Sequence, residues 1–108
     1  MRVENMVSPR TGEKVANQFV ISDGAHIVFQ SYSSTIAQID TINHIIIIGE
    51  DWNYSRTTGK YRNAFFAEYF SPLADAKAIS KVMKEIDESP KNIATISYGR
   101  CDWKIIAG

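Results

Sequence analysis

Four consecutive isoleucines, Ile45–Ile48, followed by Gly49, constrain the fold of this chain more than any other segment. β-Branched side chains favour extended backbone, and an unbroken apolar run of this length is typical of a strand that is buried on both faces. The run is far too short to cross a bilayer. The sequence therefore predicts a sheet that contains this strand, and no contact with the interior of a membrane.

Apolar periodicity divides most of the remaining chain into strands and helices. β-Rich runs that are apolar on both faces predict a hairpin with a two-residue turn at Asp23-Gly24, and a second hairpin surrounds residues 99–102. Between them, 3.6-residue periodicity predicts two helices, the second capped by Ser71 with Pro72 at its first position. We therefore predict an α+β fold, with a mainly antiparallel sheet and two helices packed on one face.

The first residues show no such periodicity. Residues 8–12, with the sequence SPRTG, have turn chemistry, and no regular apolar pattern surrounds them. This part of the chain is typical of a solvated tail. The predicted organisation is an N-terminal arm at residues 1–16 and a single α+β domain at residues 17–108.

Charge and cysteine content limit the function classes. Lys and Arg total 12, as do Asp and Glu, so the chain has no global field that would draw it to DNA or to an anionic membrane. Cys101 is the sole cysteine, which excludes an internal disulfide and fits a reducing compartment. No apolar stretch follows the N-terminus as in a signal peptide, so the expected location is cytoplasmic.

Local charge is concentrated instead in the Arg56–Arg62 segment. No acid occurs between Asp51 and Glu68, whereas cations, hydroxyls and aromatic rings are dense there. A helix that begins here, capped by Ser55 or by a nearby threonine, would direct free amide groups and a positive dipole end at an anion. The candidate partner-binding residues are the cations Arg56, Lys60 and Arg62, the hydroxyls Thr57 and Thr58, and the aromatic residues Tyr54 and Trp52.

The same segment also fits a purely structural interpretation. On a helical wheel Tyr61, Phe65 and Tyr69 share an apolar face, which leaves the cations to water. In this alternative Arg62 lies over Tyr69 or Phe66, and the segment is a capped amphipathic helix without a ligand.

Catalytic and metal-binding arrangements are not evident in the sequence. His26 and His44 each fall within a predicted strand, without a second histidine or a cysteine at ligand spacing. Cys101 has no histidine partner nearby, and the adjacent acids Glu50 and Asp51 lack a third ligand. We therefore expect a protein that is not an enzyme and that has no catalytic residue, no metal site and no cofactor.

Four motifs in fixed order carry a resemblance to known proteins. They are SPRTG at 8–12, VANQF at 15–19, FQSY at 29–32 and WNYSRTTGKYRN at 52–63. Over residues 8–66 the chain resembles a family of small uncharacterised bacteriophage proteins, some of which act as inhibitors of bacterial defence, including anti-CRISPR proteins.

The resemblance implies a non-catalytic accessory protein in the cytoplasm of a host cell, which binds and inhibits a host protein or nucleoprotein complex. The alternative is a small nucleic-acid-binding module, in which the Arg56–Arg62 segment contacts phosphates while Tyr54 or Trp52 stacks on bases. The sequence leaves the oligomeric state open.

Overall fold

A seven-stranded sheet and two helices account for most of the chain in the computed structural model, which describes residues 1–108. The strands are β1 Arg2–Val7, β2 Lys14–Ser22, β3 His26–Ser31, β4 Ser34–Asp40, β5 Ile45–Ile48, β6 Ala94–Tyr98 and β7 Cys101–Ala107. The helices are α1 Arg56–Tyr69 and α2 Ala76–Glu88.

The strand order in the sheet is β1-β2-β3-β4-β5-β7-β6. Every neighbouring pair is antiparallel except β5 and β7, which run parallel because both helices and β6 intervene between them in the chain. This arrangement confirms the predicted α+β fold with a mainly antiparallel sheet. No helix has the length and apolar character needed to cross a membrane.

Both helices pack on the same face of the sheet, as predicted. Phe65 of α1 stacks on Phe29 of β3 with 5.7 Å between ring centroids. Ile79 of α2 belongs to the same buried cluster, together with Ile46 of β5 and Ile105 of β7. A single apolar core therefore joins the centre of the sheet to the two helices.

The predicted N-terminal arm is wrong. Residues 2–7 form β1, which pairs with β2 from Arg2 opposite Ser22 to Val7 opposite Lys14. β1 lies at the edge of the sheet, and most of its side chains are exposed. Such a strand does not require alternating apolar and polar residues, so its sequence gives no strand signal. The boundary proposed at residue 17 consequently falls inside β2 rather than between an arm and a domain.

The predicted start of the second helix is also wrong. Ser71–Leu73 forms a short 3-10 turn, and α2 begins after Asp75. The Asp75 carboxylate accepts a hydrogen bond of 2.8 Å from the amide of Ala78, and so takes the capping role predicted for Ser71. Serine and aspartate are both good N-caps, so the sequence alone does not decide whether the helix begins after Ser71 or after Asp75. A proline directly after Ser71 suits a 3-10 turn as well as the first turn of an α-helix.

The isoleucine strand is covered on one face only, contrary to the prediction. Ile46 and Ile48 are fully buried beneath the helices, whereas Ile45 and Ile47 alternate with them, half-buried, on the opposite face. On that opposite face Ile47 lines a shallow depression together with Gly49, Glu50, Asp51 and Gly108. Sequence alone cannot distinguish a strand covered by its own chain from one whose second face stays open.

Candidate functional site

Helix α1 begins at a well-formed N-cap. Ser55 has extended backbone, and its Oγ accepts a hydrogen bond of 3.1 Å from the amide of Thr58. This confirms one of the two predicted caps. The first turn contains no acidic side chain, so no carboxylate of the helix itself neutralises the positive end of the helix dipole.

Thr58 lies at the centre of a buried hydroxyl network, not on the surface. Its Oγ1 accepts a hydrogen bond of 3.1 Å from Ser55 Oγ and is 2.9 Å from Ser31 Oγ at the end of β3. Thr58 is completely buried, so the structure contradicts its predicted contact with a partner. The residue instead joins the beginning of α1 to the sheet.

Arg62 is also internal, with 2% of its surface exposed. Its guanidinium donates to the backbone oxygen of Trp52 at 2.7 Å and to Asn63 Oδ1 at 2.8 Å, and it stacks over the Trp52 ring 5.3 Å from the centroid. Burial lowers the pKa of Arg62, while the carboxylate of Asp75 acts in the opposite direction. The structure thus contradicts Arg62 as a partner-binding residue and also its alternative placement over Tyr69 or Phe66.

Trp52 is only half-buried, and its ring packs against the core as well as against Arg62. Together the two side chains fix the loop that leads from β5 into α1. Trp52 is therefore chiefly a structural residue, although part of its ring reaches the surface.

The remaining predicted residues are exposed. Tyr54 has 71% of its surface accessible, and Arg56, Thr57 and Lys60 are exposed on the first turns of α1. Arg56 and Lys60 are one helical turn apart and thus share a side of the helix, where the Lys60 amine lies 5.5 Å from the ring centroid of Tyr61. The Arg56–Arg62 segment is therefore divided between a structural half and a surface half.

A depression of about 490 Å³ lies beside the start of α1. Its lining consists of hydroxyl-bearing side chains and one isoleucine: Ser31, Tyr32, Ser33, Ser34, Ile36, Tyr54, Ser55, Thr57 and Thr58. We refer to this lining together with the adjacent exposed Arg56 as the tyrosine–hydroxyl surface. Ser31, Ile36 and Thr58 form its buried floor, so the exposed hydroxyls are those of Tyr32, Ser33, Tyr54 and Thr57, beside the cation of Arg56.

The β3–β4 turn supplies the part of this surface that the sequence analysis did not assign. Tyr32 has 49% of its surface exposed and adopts a left-handed backbone conformation, with φ of 56°. Its amide donates to the oxygen of Asn17 at 2.7 Å, which anchors the turn to β2. Left-handed backbone is uncommon for tyrosine and is held here by the surrounding contacts. The FQSY motif at 29–32 was the available signal, but it suggested no chemistry by itself.

Gln18 is a further internal polar residue near this surface. It pairs with Ser31 across β2 and β3, is fully buried, and neither atom of its amide has a hydrogen-bond partner in the protein. Buried amides are ordinarily hydrogen-bonded, so Gln18 is an unusual residue of this fold.

Metal-ligating side chains do not cluster in this structure. No group of three His, Cys, Asp or Glu residues is arranged to hold a metal ion. Asp51, at the rim of the site, instead accepts a hydrogen bond of 3.0 Å from Ser34 Oγ and so helps to fix the β3–β4 turn.

Comparison with known proteins places the site within a family. Residues 1–88 match the model of DUF8033, a family of unknown function. This chain belongs to the DUF8033 family. The DUF8033 match runs from β1 to the last residue of α2, and so includes the whole tyrosine–hydroxyl surface. No curated protein and no solved structure matches the chain.

Proposed function

We propose that this protein acts by binding a partner protein through the tyrosine–hydroxyl surface, without catalysing a reaction. The observation that carries the proposal is that two exposed tyrosines, Tyr32 and Tyr54, line the same hydroxyl-rich depression. They come from separate segments, and the hydrogen bond between Ser31 and Thr58 joins those segments. The fold thus holds the two aromatic side chains in one place.

The composition of this surface suits protein recognition. Tyrosine offers a large amphipathic contact with few rotatable bonds, so little conformational entropy is lost when it is immobilised. Serine and threonine add hydrogen bonds that adapt to the partner, and antibody binding sites combine the same residue types. An interface anchored by Tyr54 and Tyr32 needs no strong net charge, which agrees with the neutral balance of this chain.

Electrostatics add a preference for the partner. Arg56 and Thr57 are the first two residues of α1, where the dipole and free amides favour negative charge. Arginine pairs well with carboxylates. We therefore expect an acidic side chain of the partner to lie near Arg56.

Nucleic-acid binding is the second candidate, favoured by one observation. Exposed Tyr54 stands next to Arg56, with Lys60 one turn further along, an arrangement that would allow base stacking beside phosphate contacts. The burial of Arg62 weakens this candidate, because only two of the three predicted cations remain for phosphates.

The biological setting comes from the resemblance to small bacteriophage proteins. In that setting the partner is a component of a host defence complex in the host cytoplasm, and binding inhibits it, as anti-CRISPR proteins do. This part of the proposal depends on the motifs and not on the geometry of the site.

The proposal is tested by the double substitution Arg56→Ala and Lys60→Ala. Both side chains are exposed, so stability should change by less than about 1 kcal/mol. Affinity for a partner captured from host lysate should fall by more than about 2 kcal/mol if these cations are interface anchors. The matched control is Lys77→Ala with Lys84→Ala, which removes two exposed cations from α2 and should leave affinity unchanged.

Salt dependence separates the two candidate functions. The affinity for a fluorescent single-stranded oligonucleotide is measured at several salt concentrations. If the logarithm of this affinity falls linearly with the logarithm of salt concentration, and if the Arg56 and Lys60 variant does not bind, the result favours the nucleic-acid module. Unchanged affinity in the Arg56 and Lys60 variant would contradict the nucleic-acid module and the expected acidic contact. Unchanged partner affinity in a Tyr32→Ala, Tyr54→Ala variant, in which both substituted residues are exposed, would contradict the tyrosine-anchored interface.

A further inference from the structure

Strand β6 lies at one edge of the sheet, so one side of its backbone has no neighbouring strand. The amide of Lys104 on β7 donates a hydrogen bond of 2.9 Å to the oxygen of His44, toward β5 and away from β6. Thr95 is opposite Lys104 in the antiparallel pair of β6 and β7, and therefore directs its own amide and carbonyl oxygen out of the sheet. Ser97 does the same, because backbone direction alternates along a strand.

The two edges of the sheet differ in their protection against a further strand. β1, at the other edge, has the charged pair Arg2 and Glu4, and a bulge interrupts its register between Asn5 and Val7. Charges and bulges are features that keep an edge strand from pairing with another chain. β6 has the sequence ATISY, without a charge, a proline or a register shift. β6 is therefore the edge that is better suited to accept another strand.

A groove of about 340 Å³ lies between this edge and α2. Its apolar lining consists of the buried Val82 and the half-buried side chains of Pro72, Ala78 and Ile96. Thr95 also lines the groove, so its outward backbone groups are next to an apolar depression. Because side chains alternate between the two faces of a sheet, a strand added to β6 would place every second side chain in this groove.

The α2 side of the groove is positively charged toward the start of the helix. Lys81 lines the groove and also an adjoining depression that contains Lys77 and Lys84. The one acid of that depression, Asp75, already caps α2, and neither Lys77 nor Lys81 is in an ion pair. Glu85, one turn beyond Lys81, is the acid of the groove itself. An occupant that complements these charges is acidic at the Lys81 end only.

The chain connection sets the direction of such an occupant. Residues 89–93 join the end of α2 to the start of β6, so Glu85 lies toward the first residues of β6 and Lys81 lies further along the strand. A strand that runs antiparallel to β6 begins at the far end of β6, near Lys81. Its acidic residues would therefore be at its N-terminal end.

We propose that the groove between β6 and α2 is a docking site for an extended segment of a partner protein, which adds to the sheet as an antiparallel strand. In strand addition, main-chain hydrogen bonds supply affinity and the pockets for alternate side chains supply specificity. The segment has acidic residues followed by alternating apolar side chains that enter the groove. The site shares no residue with the tyrosine–hydroxyl surface, and the proposal does not rest on the proposed function.

The test is isothermal titration calorimetry with the acetylated and amidated peptide EEVTVTV. Its valines would enter the groove while its threonines pair with Thr95 and Ser97, and the wild type should bind it. The peptide KKVTVTV differs only in the sign of its charge and should bind about ten-fold more weakly, because the lysines of α2 repel it. The peptide EEVPVPV keeps the charge but lacks the two main-chain donors that face β6, and should not bind.

Variants of the protein locate the binding site. Thr95→Pro removes an amide that β6 does not use for pairing with β7, so the fold should tolerate it, whereas affinity for EEVTVTV should fall about ten-fold or more. Thr95→Ala keeps the amide and should bind as the wild type does. Lys81→Glu should also weaken binding, and Lys14→Glu, the same change at an exposed residue of β2, should not. Circular dichroism shows whether each variant is folded.

The peptides decide the matter if Thr95→Pro does not fold, because they are compared on the wild type. Absence of binding of EEVTVTV at millimolar concentration would overturn the proposal. Equal affinity for EEVTVTV and EEVPVPV would also overturn it, because the contact would then not be strand addition. A wild type that does not bind the peptide but forms a dimer, which Thr95→Pro abolishes, would show that β6 pairs with a second copy instead.

Discussion

Arg62→Ala is expected to lower the free energy of unfolding by about 2–4 kcal/mol, because it removes a large buried side chain and leaves its partners without a donor. The backbone oxygen of Trp52 would lose its 2.7 Å hydrogen bond, and the Trp52 ring would lose the guanidinium stacked on it. Urea unfolding, followed by tryptophan fluorescence, measures the loss.

The matched control for this prediction is another arginine on the same helix. Arg56 is exposed, so Arg56→Ala should change stability by less than about 0.5 kcal/mol. Arg62→Lys keeps the charge, but an ammonium group cannot stack on the Trp52 ring and make the same set of hydrogen bonds as the planar guanidinium. It should therefore also lower the free energy of unfolding. Equal small effects from Arg62→Ala and Arg56→Ala would contradict the internal position of Arg62.

Ile46→Ala is the second substitution with a large expected effect. Ile46 is fully buried between the sheet and the helices, and deletion of its side chain should cost about 2–5 kcal/mol through lost burial and a residual cavity. Ile42→Ala makes the same chemical change at a residue that is 70% exposed, and should cost less than about 0.5 kcal/mol. A loss below about 1 kcal/mol for Ile46→Ala, measured by thermal and urea unfolding, would show that β5 is peripheral to the core.

The hairpin between β2 and β3 shows how far turn chemistry can be read from sequence. The predicted turn centre was Asp23-Gly24, whereas the structure centres the turn on Gly24 and Ala25, since the Asp23 carboxylate accepts a 2.8 Å hydrogen bond from the amide of His26. The strand register therefore shifts by two residues. A turn at Asp23-Gly24 would pair Ile21 with His26, whereas Ile21 pairs with Val28. Because the shift is even, each side chain stays on the same face of the sheet, and only the pairing differs.

Arg62 shows why the candidate site was only partly predictable. Thr58, Arg62, Phe65 and Phe66 all lie on the buried side of α1, at spacings of three, four and seven residues that a helical wheel displays. Its charge nevertheless led to the prediction that Arg62 binds a partner or, in the structural alternative, lies over Tyr69 or Phe66. The compensating groups, the Trp52 carbonyl and Asn63, become apparent only when the fold brings the loop to the helix.

Tyr32 and β1 were missed for the opposite reason, since neither has a local pattern that indicates its role. Tyr32 joins the site because the β3–β4 turn lies beside the start of α1, a proximity set by long-range strand pairing. β1 is an exposed edge strand whose place depends on pairing with β2. The periodicity of apolar residues indicates which side of a segment is buried. It does not indicate which distant segments will lie in contact with it.

The central claim is that the exposed tyrosines and the start of α1 form the partner-binding surface. Amide hydrogen exchange of the free protein and of its complex with the captured partner tests this claim most directly. We predict that binding slows exchange at residues 32–34 and 54–58 and leaves the outer face of α2 unchanged. Slower exchange confined to α2 or to the β6–β7 hairpin, with none at residues 32–34 and 54–58, would contradict it.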